Sequence, residues 1–164
     1  MADMTKQEKA FLDMIAWAEC GPGLLAASDN GYNILVGSTP VSPRIFCDYS
    51  DHPRILVRLN EKLSSTAAGR YQILKRTYDA YKVRCNLRDF SPASQDIIAL
   101  QLIRERGALK DINEGRIEDA IRKVRNIWAS LPGAGYGQHE QKLSRLLAAF
   151  VKAGGVINPN NRTE

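Results

Sequence analysis

The sequence predicts an α+β fold, a mostly helical single domain with a small antiparallel β-sheet after the first helix. Three observations lead there. Apolar residues recur at three- and four-residue spacing near the N-terminus and again through most of the chain beyond residue 69. Between those stretches, residues 21–64 are rich in Gly, Pro, Ser and Asn and hold three short β-branched or aromatic runs. The 164 residues, 44% hydrophobic and 25% charged, suit one domain over 1–164 that buries a core without disulfide or metal staples.

The first helix is expected over 5–20. Thr5 and Glu8 form a capping-box pattern, Phe11, Leu12, Ile15 and Ala16 make the apolar stripe, and Gly21-Pro22-Gly23 stops it. The runs Tyr32 to Val36, Ile45 to Tyr49 and Ile55 to Leu59 are the expected strands, with Pro40, Pro43 and Pro53 falling between them. The helical period returns over 69–84, with Ile73, Leu74, Thr77, Tyr78 and Tyr81 as its packing stripe. Ser91-Pro92 opens a helix running to Arg106, because proline suits the first helical position, and Gly107 ends it. A short helical piece follows at 108–113. Ile117, Ala120, Ile121, Val124, Ile127, Trp128 and Leu131 predict a helix over 116–131, broken by Pro132-Gly133. Beyond the loop Gly133-Ala134-Gly135-Tyr136-Gly137, a last helix is expected at 139–153, built on Leu143, Leu146, Leu147 and Phe150. The polar tail over 155–164 is expected to fray.

Charge and composition narrow the function classes. Lys and Arg number 23 against 18 Asp and Glu, a net charge of +5. That balance favours an anionic partner, whether nucleic acid, anionic lipid or an acidic cell-wall polymer. The cations are spread along the chain with no block of five or six, which fits a basic surface better than a nucleic-acid tail. No run approaches a membrane span, and the polar N-terminus lacks the apolar core of a secretory signal, so a cytoplasmic site of synthesis is expected. Cys20, Cys47 and Cys85 are odd in number and widely spaced. With His52 and His139 they set up no zinc spacing and no CxxC redox pair, so no metal and no cofactor is expected.

Glu19 breaks the pattern of its helix. On the helical wheel it lies about 20° from Leu12 and about 40° from Ile15, hence on the apolar stripe. It also sits at the C-terminal, negative end of the helix dipole. Both placements disfavour the carboxylate and would leave a proton on it near neutrality, as a general acid requires. A structural Glu, paired with an Arg or capping a loop, is the other reading. Asp48, Asp51 and His52 form a second polar cluster before Pro53, readable as a substrate clamp or as Asx-turn chemistry, the latter favoured for Asp51. Ser64 to Gln72 is a small-residue loop leading into a helix, readable as an anion site or as a plain cap. Cys20 beside Glu19 could be a thiol nucleophile or a small core filler. Trp17, Tyr32, Tyr71 and Trp128 read as core. Tyr136, flanked by glycines, is placed to stack on a sugar ring.

Several longer strings carry more. They are Phe11-Leu12-Asp13-Met14 through Trp17 and Glu19, Gly31-Tyr32 with Val36-Gly37, and Asp48-Tyr49-Ser50-Asp51-His52-Pro53-Arg54. Ala68-Gly69-Arg70-Tyr71-Gln72, Asp89-Phe90-Ser91-Pro92 and Glu105-Arg106-Gly107-Ala108-Leu109 follow. The longest runs from Asn126-Ile127-Trp128 through Pro132-Gly133-Ala134-Gly135-Tyr136-Gly137-Gln138. In this order, over about residues 8 to 155, the chain resembles the lambdoid phage endolysins, a family of lytic transglycosylases with a lysozyme-like fold.

The resemblance implies cleavage of peptidoglycan glycan strands between N-acetylmuramic acid and N-acetylglucosamine, with a 1,6-anhydro product. It places the catalytic glutamate on Glu19. The loops around 48–54 and 132–139 correspond to lips over a saccharide groove, and Gln72 and Tyr136 to cleft positions. Tyr71, Asp48, His52 and Gln138 complete the implied substrate-binding set. A monomer without stable membrane association is expected, and no nucleic-acid partner, because the basic residues do not cluster on one helix face. Such an enzyme waits in the host cytoplasm until a holin releases it onto periplasmic peptidoglycan. A hydrolytic muramidase on the same fold, with Asp48 or Asp51 activating water, is the nearest alternative, and a non-catalytic basic module binding murein or nucleic acid is another. Asn33 stands where a member of the family carries Asp, Cys20 where a small residue such as Gly is expected, and the segment from Gly21 to Asn30 departs freely.

Overall fold

The computed structural model describes residues 3–135 and 140–158. The chain divides into two compact units, Met1–Glu19 with Leu100–Glu164, and Cys20–Ala99.

In the first unit, α1 (Lys6–Cys20) starts as the sequence predicts. The Glu8 amide donates to Thr5 Oγ1 at 3.1 Å, and the Thr5 amide donates back to Glu8 Oε1 at 3.3 Å. Ala10, Phe11, Leu12, Met14, Ile15, Ala16 and Ala18 are all buried, so α1 is apolar around most of its girth and serves as a core helix. The same unit holds α5 (Leu109–Asn113), α6 (Ile117–Val124) and α7 (Leu143–Lys152), the last two burying Ile117, Ala120, Ile121 and Val124, and Leu146 and Phe150. The helix expected to reach 131 stops at Val124, and turns closed by Ile127 N–H to Val124 O and Leu131 N–H to Trp128 O replace it. Trp128 and Leu131 are buried nonetheless, so the apolar spacing is served by turns. Pro132 disfavours helical geometry at Leu131, and the helix ends before that conflict arises. The tail expected to fray from 155 is instead held as far as Asn158. The amide of Val156 donates to Gln7 Oε1 at 2.7 Å, Gln7 Nε2 donates to Val156 O at 2.9 Å, and the Asn158 amide donates to Gly115 O at 3.1 Å.

In the second unit the stop at Gly21-Pro22-Gly23 is also a restart. Gly21 takes φ +79°, a conformation costly for other residues, and Pro22 opens α2 (Pro22–Ala26) at the first helical position. The expected sheet is present but smaller. The first and second runs meet at one antiparallel bridge, Ile34 with Ile45, and Leu35 bridges Ala68. The third run contributes β1 (Val57–Arg58), whose antiparallel partner is β2 (Ser64–Ser65), in register Val57 opposite Ser65.

The helix expected over 69–84 begins at α3 (Lys75–Arg84). Residues 69–72 make a tight turn, with Gly69 at φ +80° and Gln72 at φ +50°, closed by paired bonds between Ala68 and Ile73 at 2.9 and 3.1 Å. Left-handed residues cannot lie within a right-handed helix, so the helix waits. The first amide of α3, on Lys75, donates to Thr66 Oγ1 at 3.0 Å, which makes the Ser64 to Gln72 segment a cap. Gln95, wholly buried near the start of α4 (Pro92–Glu105), ties this unit together. Its Oε1 accepts the Arg70 amide, and its Nε2 donates to Tyr32 O and Phe90 O, all at 3.0 Å.

Candidate active site

Glu19 lies on the last turn of α1, half-buried, among the apolar residues that line that helix. Burial pushes its carboxyl from an ordinary 4.5 up to about 7. Ser130 works the other way. Its hydroxyl donates to Glu19 Oε1 at 3.0 Å, and its side-chain and backbone hydrogen bonds pull the carboxyl back toward ionisation. Desolvation wins, so Glu19 holds a proton through mildly acidic conditions and is poised to give or take one near neutrality.

Ser130 is the partner of Glu19 that the sequence did not reveal. It is buried, and the Gln141 amide donates to its carbonyl at 2.8 Å. The adjacent turn is fastened by Glu140, whose carboxylate accepts the amides of Gly133 at 3.0 Å and Gly135 at 3.1 Å. Those bonds hold the Glu140 carboxyl below its usual range, the opposite direction to Glu19. The early end of α6 is what frees 125–131 to turn and present Ser130 to Glu19.

The other candidates sort differently. His52 is buried, accepts the Arg54 amide on Nδ1 at 3.0 Å and hydrogen-bonds Ile73 O through Nε2 at 2.8 Å. Burial lowers its pKa, and its ring packs against Phe90 and Tyr78. With both nitrogens hydrogen-bonded, it fixes the loop expected to border the substrate. Tyr71 is likewise buried. It is 1% exposed, donates to Asp96 Oδ1 at 2.5 Å and accepts from Arg70 Nη1 at 2.9 Å, a buried network with no face left for a ligand.

The Asx turn expected at Asp51 is made by Asp48, whose Oδ1 accepts the Ser50 amide at 2.8 Å. Asp51 instead pairs with Arg54 at 2.8 Å, and Arg54 also reaches Asp79 at 2.6 Å. Both candidate carboxyls lie below the usual range, Asp48 through hydrogen bonds from Ser50 and Asp51 through those from Arg54. Gln72 is partly exposed in its left-handed conformation, with Nε2 donating to Gly69 O at 2.9 Å. Tyr136 and Gln138 lie outside the described residues. Cys20 donates its thiol toward Arg70 O at 3.4 Å, the behaviour of a packed donor. Asn33 accepts the Asp29 amide on Oδ1 at 2.9 Å, a turn contact that an Asp could make equally. Among the described residues no group of three or more His, Cys, Asp or Glu side chains is arranged to hold a metal ion.

Known proteins are similar to this chain in sequence and in architecture. The Endolysin family model matches residues 9–157. The endolysin of Escherichia phage lambda is 54% identical over 158 residues, 96% of this chain and 97% of its own length. That of Escherichia phage P2 is 51% identical over 154 residues, 90% of this chain and 92% of its own length. Bacteriophage lambda lysozyme in complex with a chitohexasaccharide superposes with a TM-score of 0.89 at 53% identity, covering 96% of this chain and all of that one. A second structure of lysozyme from bacteriophage lambda gives 0.86 at 52% identity, with 96% and 100% covered.

Proposed function

The chain belongs to the endolysin family, with the fold of lambda lysozyme, and we propose that it cleaves peptidoglycan as a lytic transglycosylase. The observation that carries this reading is one carboxyl, on Glu19, still protonated up to about pH 7. Ordinary glycosidases divide the work between two carboxyl groups. Asp48 and Asp51 are poor candidates for the second, because each is held as an ionised, hydrogen-bonded anion of low basicity. A transglycosylase needs only one. Neutral Glu19 gives its proton to the glycosidic oxygen as the bond from that oxygen to C1 of N-acetylmuramic acid breaks. The C6 hydroxyl of the same sugar attacks C1, and the Glu19 carboxylate takes the hydroxyl proton. Glu19 ends neutral again, the product carries a 1,6-anhydro ring, and no water is consumed.

Gln72, partly exposed, is the described residue suited to hydrogen-bond the sugar, and Tyr136 and Gln138 complete the proposed contacts. Among the described residues no helix is long and apolar enough to cross a membrane. As the family resemblance implies, the reading also includes a holin that opens the inner membrane to an enzyme made in the host cytoplasm.

Mass spectrometry of digested peptidoglycan tests the reaction. Anhydromuropeptides are the expected product, and reducing-end muropeptides alone would make the enzyme a hydrolase. Ser130→Ala tests the electrostatics. Without the hydroxyl bond that favours the carboxylate, and with only the backbone one left, Glu19 rises further above its present value, so the alkaline limb of the pH–rate profile moves upward. The rate at the optimum falls by about tenfold, the scale of one charge-assisted hydrogen bond. Turbidity clearing of cell-wall suspensions across the neutral range measures both. An unmoved limb would remove Ser130 from the site.

A further inference from the structure

A second feature of the first unit lies on α1 but away from Glu19. Trp17 precedes Glu19 by two residues, which turns it about 200° around the helix. Beside it runs one face of α7, on which Arg145, Ala148, Ala149 and Lys152 recur at helical spacing. These five residues line a shallow groove of about 220 Å³. Two alanines leave its floor low, the half-exposed Trp17 forms its wall, and an exposed cation stands at each end. Among the described residues nothing pairs with the side chain of Arg145 or Lys152. Asp13, one turn before Trp17, has its charge met by Lys9 at 3.0 Å.

We propose that this groove binds the carboxylate-bearing peptide stem of peptidoglycan, as a second contact separate from glycan cleavage. The proposal rests on the peptidoglycan reading above. Its chemistry is charge complementarity along a line. Residues seven apart on a helix are separated by about 10 Å along the axis, the length of about three residues of extended chain. A short stem with free carboxylates can therefore reach both cations while its alkyl groups rest on the alanines and the indole. The groove falls below the roughly 300–1,000 Å³ of small-molecule cavities, so it suits a segment laid along the surface. Binding through exposed cations weakens with added salt.

The test uses the full chain carrying Glu19→Gln, which slows turnover, and two probes, a soluble disaccharide-tetrapeptide and the same disaccharide without its peptide. Calorimetry is expected to show the peptide-bearing fragment binding about tenfold more tightly at low salt. Adding Arg145→Glu and Lys152→Glu should abolish that preference. The same pair, placed in the chain with native Glu19, should leave cleavage of peptide-free glycan unchanged. Equal affinity for the two probes, or a preference that survives the double substitution, would overturn the proposal. Failure of the peptidoglycan reading would show differently, as no cleavage of peptide-free glycan with Glu19 in place.

Discussion

Glu19→Gln is expected to lower peptidoglycan cleavage by about 10²- to 10⁴-fold, the usual weight of a positioned general acid–base group, while the fold persists. Gln matches Glu in shape and keeps an amide oxygen where Ser130 donates at 3.0 Å, but it has no proton to give the leaving oxygen. The same variant reports on burial through the pH dependence of stability. The carboxyl titrates at an ordinary 4.5 when unfolded and at about 7 when folded. Below pH 4.5 both states hold the proton, and the neutral group suits its desolvated site. Between 4.5 and about 7 the unfolded chain loses that proton while the folded one keeps it, so folding stability falls as pH rises. Above about 7 the fold carries a buried charge. Gln escapes this loss, so its melting temperature should rise relative to the native chain between about pH 4 and about pH 8. Circular dichroism melts at both ends of that range check the stability, and turbidity assays check the rate. Near-native cleavage by the variant would remove Glu19 from the chemistry, and a constant difference in melting temperature would show that its carboxyl is not desolvated.

What made Glu19 legible is that its signal is local. A carboxyl on an apolar stripe, at the negative end of its own helix, contradicts its surroundings within a few residues of sequence. The Thr5–Glu8 cap was legible for the same reason. Ser130 was not, because it lies 111 positions from Glu19 and falls where apolar spacing predicted helix. Turns placed Trp128 and Leu131 in the core as well as a helix would have, so periodicity could not tell them apart. The late start of α3 has a similar cause. The stripe of Ile73, Tyr78 and Tyr81 suggested a helix from residue 69, while the left-handed conformations of Gly69 and Gln72 follow from closure of the hairpin around them. Ser64 and Ser65 carry little strand propensity, and their pairing with β1 is set by the turn at 60–63, where the Leu63 amide donates to Asn60 O and the Leu59 amide to Leu63 O. His52 and Tyr71 stand in motifs that looked like site residues. Their polar atoms are spent on Ile73, Arg54, Asp96 and Arg70, so the motifs record how the loops are built. A motif shared with a family marks both what touches the substrate and what holds those contacts in place.

Gln95→Leu should be the most destabilising polar-to-apolar change in the second unit. One wholly buried amide satisfies three backbone groups from separate segments, the Arg70 N–H and the carbonyls of Tyr32 and Phe90, each at 3.0 Å. Leucine nearly matches the volume, so the loss is in hydrogen bonding rather than in a cavity. Each buried backbone group left without a partner costs about 1–3 kcal/mol, and three together about 3 kcal/mol or more. For a chain of this size that lowers the melting temperature by roughly 6–12 °C. Gly69 shows how closely the turn is fitted, since a Cβ there would collide with Gln95 Oε1. Function should follow. The turn at 69–72 that carries Gln72 is tied to α4 through the Arg70 bond, so on the proposed reading, in which Gln72 holds the sugar and takes no part in proton transfer, its loosening should raise KM for glycan more than it lowers kcat. Urea denaturation and steady-state kinetics on soluble glycan measure the two effects. A loss of stability under about 1 kcal/mol would mean that the three backbone groups find other partners, and an unchanged KM would detach the Gly69–Gln72 turn from substrate binding.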